Sequence, residues 1–375
     1  MCGLAYAKPE EIGLDAARLQ VAYDLLDRWT AGPDFLIPGV AIAIGRHGRV
    51  VEPRFFGRQG PEDDEPIRRD GAFLLASITK PVTYMAAMLL AERGQLSLAD
   101  PVTEYLPEFA SHHKEQTLLF HLFTHTSGLP DMLPNNLELR RQHAPLSRFV
   151  EATMHDVVPL FPPGTNLSYQ SMGTLITAAI VEQIAGQPLP AFLEREVFSP
   201  LGMSSTSLGS GRLDPARLVR VRMPPEQAGT DFGWNSDYWR KLGSPWGGLF
   251  STPDDFAAIC QLMLGGGRLG DVSLLSSATV ERMTTNRLHD LPELSEPLRR
   301  TQPWGLGWKI NRSASADVFS DLLSSSAYGH WGATGTVCWI DPRRQGFCLL
   351  FATAPMSDSR RRLVRISNAV AASFT

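Results

Sequence analysis

Residues Phe73–Tyr84 read FLLASITKPVTY, and the order of residue types here decides how the rest of the chain is read. An apolar run ends at Ala76, a hydroxyl follows at Ser77 and an ammonium at Lys80, and Pro81 then leads into a second apolar run. Residues three apart share one face of a helix. The spacing predicts a helix start at which Lys80 reaches back to Ser77, with Pro81 in the first turn, where its missing N–H has no intrahelical partner. A serine hydroxyl is a weak nucleophile at neutral pH and needs a base to take its proton as it attacks. Partial burial and nearby cations lower a lysine's pKa until it can be that base. A helix N-terminus also points backbone N–H groups at the seryl oxygen and at an oxyanion beside it. The competing reading is that Ser77 simply caps a helix whose Lys80 is solvated, since serine is a preferred cap and Ser-x-x-Lys arises by chance.

Two later stretches bear on that choice. LSYQSMG (167–173) places Tyr169 and Ser171 after a Pro-Gly turn and ahead of the helical pattern TLITAAIVEQIAG, a loop-to-helix junction from which side chains can face a cleft. A tyrosine ordinarily has a pKa near ~10, and a neighbouring cation lets it shuttle protons. YGHWGATGTVCW (328–339) enters a strand carrying His330, Gly332 and Gly335, and glycines within a strand pattern allow a ligand close to the backbone.

Outward from these motifs the chain divides by periodicity. Residues 15–30 have helical spacing, with Leu19, Ala22, Leu25 and Leu26 on one side. PGVAIAIGRHGRVVEPRFFG (38–57) reads as a hairpin turning at Gly45–Gly48. From Phe73 to about Ala185 the pattern is mostly helical, and GTVCWIDPRRQGFCLLFATAP (335–355) is a second hairpin turning at Asp341–Gly346, followed by an amphipathic C-terminal helix. Strands at both ends with helices between predict an α+β fold: an antiparallel sheet built from both chain ends and flanked by helices, with an inserted mainly helical domain. The expected division is 1–70 with 296–375 for the sheet domain and 71–295 for the helical one. An irregular excursion near 210–246 is expected to roof the cleft between them.

Composition narrows the partners. With 375 residues, 43% of them hydrophobic and 20% charged, the chain can bury a large core, and its net charge of -4 gives no basic field for nucleic acid or an anionic membrane. Small molecules are the expected partners. No basic start with a continuous apolar segment opens the chain and no stretch is apolar enough to span a bilayer, so the expectation is a cytoplasmic protein without a membrane span. Cys2, Cys260, Cys338 and Cys348 follow no metal-ligand spacing and are too sparse for a disulfide framework; Cys338 and Cys348 could face each other across the second hairpin, the default being reduced, buried thiols.

Ser77-x-x-Lys80, Tyr169-x-Ser171 and His330-x-Gly332, in that order, resemble the three signature elements of the serine β-lactamase and penicillin-binding protein superfamily. LLFHLFTHTSGLPD, GQLSLADPVTEYLPEF, FSPLGMSSTSL, WGGLFSTPDDFA and WGLGW look like its branch of class C β-lactamases, D,D-peptidases and family VIII carboxylesterases, and the likeness runs from about Ile37 to Thr353. The resemblance implies Ser77 as the acylated nucleophile, Lys80 and Tyr169 sharing the proton transfers, and the N–H groups of Ser77 and Ala333 as the oxyanion hole. Ser171 takes the place usually held by Asn, as a contact to substrate or Lys80. Where lactamases usually carry Lys-Thr-Gly, this chain has His330-Trp331-Gly332, which loses a fixed cation and a hydroxyl and gains an apolar surface, unless arginines of the roof segment replace the charge. That departure favours a carboxylesterase on small neutral esters, without metal or organic cofactor. The alternatives are a D,D-peptidase or D-aminopeptidase, an amidase or a weak β-lactamase, and, of another class, a catalytically silent scaffold.

Rival sites are weaker. His121 and His125, four apart, lack an HExxH glutamate or a third ligand, so they are expected to pack around the Thr126–Gly128 turn. No GxSxG pentapeptide is present. Trp234, Trp239, Trp246, Trp304, Trp308 and Trp331 are read either as filling between sheet and helices or, for Trp246 and Trp331 especially, as lining an apolar acyl pocket.

Overall fold

The computed structural model describes residues 4–311 and 319–375. Cys2 lies outside them. The described strands are β1 (Ala5–Tyr6), β2 (Gly39–Arg46), β3 (Arg49–Gly57), β4 (Phe73–Leu74), β5 (Ser207–Leu208), β6 (Leu249–Ser251), β7 (Arg268–Leu269), β8 (Val272–Ser273), β9 (Lys309–Ile310), β10 (Tyr328–Gly332), β11 (Thr336–Asp341) and β12 (Gly346–Ala352). Seven of them form the main sheet in the order β1-β3-β2-β12-β11-β10-β9, so strands from the two ends of the chain meet where β2 pairs with β12. Both expected hairpins are present, Arg46 opposite Arg49 and Asp341 opposite Gly346. The sheet is mixed rather than wholly antiparallel: β1 lies parallel to β3 at its edge, because the chain must cross over through the helix Ala16–Thr30 before it enters β2.

Alternation along the strands sends side chains to two cores. Val40, Ile42, Ile44, Trp339 and Leu350 face the helices Ala16–Thr30 and Met356–Ser373, meeting Leu19, Leu26, Leu363 and Ile366. Ala41, Ala43, Cys338, Leu349 and Phe351 face the helix Pro253–Leu264 and the helical bulk beyond it. Cys260, Cys338 and Cys348 are free and buried as expected, and the same alternation rules out that Cys338 and Cys348 face each other. Cys338 pairs with Leu349 and Cys348 with Trp339, which puts the two thiols on opposite faces, and the neighbour of Cys338 is Cys260, with the sulfurs 3.7 Å apart.

The helix Thr79–Glu92 is buried at every position from Thr79 to Leu90, as expected of a helix with apolar residues all round. It packs on the helix Met172–Ala185, and the Tyr84 hydroxyl joins the two by a 2.9 Å hydrogen bond with the Thr174 hydroxyl while donating at 2.9 Å to the Leu122 carbonyl of the helix Leu119–Phe123. A small sheet of β4, β6 and β5 holds the chain just ahead of Ser77. The excursion Arg212–Trp246 is mostly irregular, with the short helix Asp237–Leu242 near its end. No helix among the described residues is long and apolar enough to cross a membrane.

Candidate active site

Ser77 does not cap a helix. It sits in the 3-10 turn Ala76–Ile78, which runs straight into the helix at Thr79, and no side chain caps either start. Ala76 has φ +48°, a left-handed conformation that costs a non-glycine residue about 1–3 kcal/mol and persists only when its surroundings over-determine it. Those surroundings are specific. The Leu75 N–H donates to the Leu249 carbonyl at 2.8 Å, the Thr79 hydroxyl donates to the Ala76 carbonyl at 2.6 Å, and the hydroxyls of Thr334 and Thr336 donate to the Leu74 and Leu75 carbonyls, each at 2.8 Å. The two threonine bonds tie the serine turn to the connection from β10 into β11, directly after the third motif. Gly332 is required there: a Cβ would stand 2.3 Å from the Leu75 carbonyl oxygen and 2.2 Å from the Thr336 hydroxyl. The Ala333 N–H is thereby held beside the serine turn with no acceptor among the described residues, while the Ala333 carbonyl accepts the Met356 N–H at 2.8 Å.

The Lys80 side chain is fully buried and its ammonium donates to the Ser77 hydroxyl at 3.1 Å and to the Trp246 carbonyl at 3.2 Å. Burial lowers its pKa from 10.5 to about 7, with Asp131 opposing the shift. The amine also lies 4.6 Å from the centre of the Tyr169 ring. Ser77 itself is partly exposed, so its hydroxyl is open on one side and backed by a buried amine on the other.

Tyr169 shows part of its ring to solvent, but its hydroxyl is buried and makes no well-formed hydrogen bond in the resting site. Burial pushes its pKa well above 10, and Ser77 is the neighbour acting in the other direction. His125 grips this tyrosine from both sides: its carbonyl accepts the Ser168 N–H at 3.0 Å, its Nδ1 accepts the Gln170 N–H at 3.2 Å, and its ring centre is 4.8 Å from that of Tyr169. His125 is fully buried with φ +61°, and burial holds the imidazole neutral, with Lys80, His330 and Lys309 adding to the effect. His121 points elsewhere, its Nδ1 accepting the Leu118 N–H at 3.1 Å. Among the described residues no three His, Cys, Asp or Glu side chains converge to hold a metal.

The remaining candidates take varied positions. Ser171 is buried and its hydroxyl donates to Asp131 Oδ1 at 2.5 Å. His330 is fully buried with Nδ1 engaged on the Trp331 backbone, and burial lowers its pKa to about 3, with Lys80 adding to the effect. Trp331 is partly exposed and stacks on Tyr169 with ring centres 5.9 Å apart. Trp246 contributes its carbonyl to Lys80, while its indole is buried against Phe149 and Trp239. Four of the five roof arginines are engaged by other groups: Arg212 pairs with Glu194, Arg217 donates to Ser205 and the Asp70 carbonyl, Arg220 pairs with Asp63, and Arg222 donates to the Phe35 and Leu36 carbonyls; the fifth, Arg240, lies in the helix Asp237–Leu242 with part of its guanidinium buried and unbonded among the described residues. Sequence reasoning did not single out Asp131, although it lies within the quoted GLPD. It also left Trp304, whose ring centre is 4.3 Å from that of His125, among possible filler.

A family model described as Beta-lactamase matches residues 28–372. A protein of Escherichia coli (strain K12) named "Putative D-alanyl-D-alanine carboxypeptidase" is 27% identical over 94% of this chain and 86% of its own. Among solved structures, a penicillin-binding protein homologue from Caulobacter crescentus superposes with a TM-score of 0.78 at 21% identity, covering 96% of this chain and 99% of its own. "EstCE1, a hydrolase with promiscuous acyltransferase activity" superposes at 0.77 and 21% identity, covering 95% and 98%. At such identities the two structures establish the fold.

Proposed function

The chain belongs to the beta-lactamase family, a family of serine hydrolases, and we propose that it works through an acyl-enzyme at Ser77 as a carboxylesterase on small esters that carry no free carboxylate. The observation that carries this reading is Lys80: an amine with a pKa near 7, 3.1 Å from the Ser77 hydroxyl and shielded from water. In the proposed sequence Ser77 Oγ attacks the ester carbonyl carbon as its proton passes to Lys80 Nζ. The oxyanion forms between the N–H groups of Ser77 and Ala333. As the carbon–oxygen bond to the leaving alcohol breaks, that alcohol receives the proton from Lys80 by way of Tyr169. Water then attacks the acyl carbon and gives a proton to the same pair; the bond to Ser77 Oγ breaks, Oγ takes the proton back, and a carboxylic acid leaves. Lys80 and Tyr169 titrate as a pair, so both half-reactions are assigned to the two together.

Charge supports the ester preference. A substrate carboxylate needs a cation, and the third motif offers a buried, neutral His330 while Arg212, Arg217, Arg220 and Arg222 of the roof are engaged elsewhere. Trp331 presents an apolar surface beside Tyr169 for an acyl or alcohol chain, and Gly332 lets the strand carrying it approach the serine turn. Ser171 and Trp246 act from behind, on Asp131 and Lys80. The E. coli relative's name favours a second reading, cleavage of a D-alanyl peptide. Intact-protein mass spectrometry after a fluorophosphonate probe tests the nucleophile: one adduct mapping to Ser77, absent in Ser77→Ala, is expected. Side-by-side turnover of p-nitrophenyl butyrate, nitrocefin and a D-alanyl-D-alanine peptide tests the preference, and fast β-lactam or peptide cleavage without ester cleavage defeats it. An unlabelled Ser77 points to the silent scaffold.

A further inference from the structure

We infer that Asp131 is a specificity residue of this site, placing a carboxylate where it selects substrates that carry an ammonium group close to the scissile carbonyl, as an α-amino acyl ester or amide does. The inference rests on the serine hydrolase reading above. Two hydrogen bonds locate the residue. Oδ1 accepts the Ser171 hydroxyl at 2.5 Å and the Asp131 carbonyl accepts the Ser171 N–H at 3.3 Å, which places Asp131 against Ser171, two residues along from Tyr169, at the same loop-to-helix junction. Its charge in turn favours the protonated forms of Lys80 and Tyr169. Yet the side chain is exposed, and among the described residues no arginine, lysine or histidine forms an ion pair with it.

The other charges nearby do not compensate for it. Lys80 is directed to Ser77 and the Trp246 carbonyl. Lys309, also buried, donates to Gln302 Oε1 at 2.9 Å and lies 5.3 Å from the centre of the Trp304 ring. His125 and His330 are buried and neutral. Of these groups only the Asp131 carboxylate is exposed, and its negative charge disfavours an anionic substrate and rewards a cationic one. A close pair of unit charges near a protein surface supports a preference on the order of tenfold.

The test compares two esters of nearly equal shape, alanine methyl ester and methyl lactate, at about pH 6.5, below the ordinary pKa of an α-amino group. Both enantiomers of each are used. Asparagine at position 131 retains an oxygen to accept the Ser171 hydroxyl, so Asp131→Asn removes the charge and little else, while Asp131→Glu retains the charge. The quantity read is the ratio of kcat/KM for the amino ester to that for the hydroxy ester, in which any common effect on Lys80 cancels. The ratio is expected to be about tenfold in the wild type, to stay above unity with Glu and to fall to about one with Asn. A wild-type ratio of one or less, or the same ratio in wild type and Asp131→Asn, overturns the inference. Fluorophosphonate labelling of the same samples separates the two failures: labelled Ser77 with no amino preference removes only the role of Asp131, whereas unlabelled protein that cleaves neither ester removes the hydrolase reading as well.

Discussion

Replacing Lys80 by methionine perturbs the property that the proposed chemistry depends on, a buried amine that is half deprotonated at neutral pH. Burial takes Lys80 from 10.5 to about 7 in the folded protein, while the unfolded chain keeps the ordinary value. Below about pH 7 both states are protonated and the full burial penalty, on the order of 4–5 kcal/mol, applies. Between about pH 7 and about 10.5 the unfolded state holds a proton that the native state has released, so stability rises with pH by up to about 1.4 kcal/mol per unit. Methionine is close in volume and removes both penalty and slope. It also leaves the Trp246 carbonyl without its Lys80 partner, at a cost of about 1–3 kcal/mol. Lys80→Met is therefore expected to be more stable than the wild type by about 2 kcal/mol at about pH 7 and roughly equal to it at about pH 9. Urea unfolding followed by tryptophan fluorescence at the two pH values reads this directly, and the variant should have lost ester hydrolysis at both. Parallel pH dependence in the two proteins would refute the reasoning, because a lysine that keeps its proton in the native state to pH 9 cannot be the resting base.

Further outcomes follow from the same geometry. Tyr169→Phe should lower kcat by about 10²–10⁴-fold, the range for removing a proton-transfer group, with melting unchanged or slightly raised because the hydroxyl makes no well-formed bond in the resting site; kcat within tenfold of wild type rules out its proton role. Gly332→Ala should force the serine turn and β10 apart, since the new Cβ would stand 2.3 Å from the Leu75 carbonyl oxygen, and a displacement of ~1 Å costs about a hundredfold in rate; fluorophosphonate labelling should slow in step. His125→Ala deprives the Gln170 N–H of its acceptor, at about 1–3 kcal/mol. It should lower kcat more than it changes KM, and a change confined to stability would show that His125 does not position Tyr169.

Much of the architecture was legible because it is written in short-range patterns. The alternation in Val40–Ile44 and the turn at His47–Gly48 define one hairpin locally, and the turn at Asp341–Gly346 defines another. What escaped was long-range or two-residue in extent. The β1 edge strand is too short for any periodicity, and its parallel pairing with β3 depends on the crossover through Ala16–Thr30. The partner of Cys338 came from the helix Pro253–Leu264 rather than from its own hairpin, since only the register says which face a thiol occupies. Asp131 was passed over because an aspartate between prolines reads as turn chemistry, and nothing in GLPD announces that the Ser171 hydroxyl will reach its carboxylate.

The sequence by itself put Ser77 and Lys80 within reach of each other, because three-residue spacing in a helical turn brings two side chains to one face through local backbone geometry that no distant contact has to supply. The resemblance carried by its motifs also implied that His330 stands where a fixed cation is usual. Only the tertiary structure decided what those groups are chemically. Lys80 has a pKa near 7 because the core packed around it, contributed from segments far along the chain, excludes water from it, against the opposing pull of Asp131. Adjacency is set by local backbone geometry, but desolvation sums over everything that packs around a group, and that sum exists only once the chain has folded.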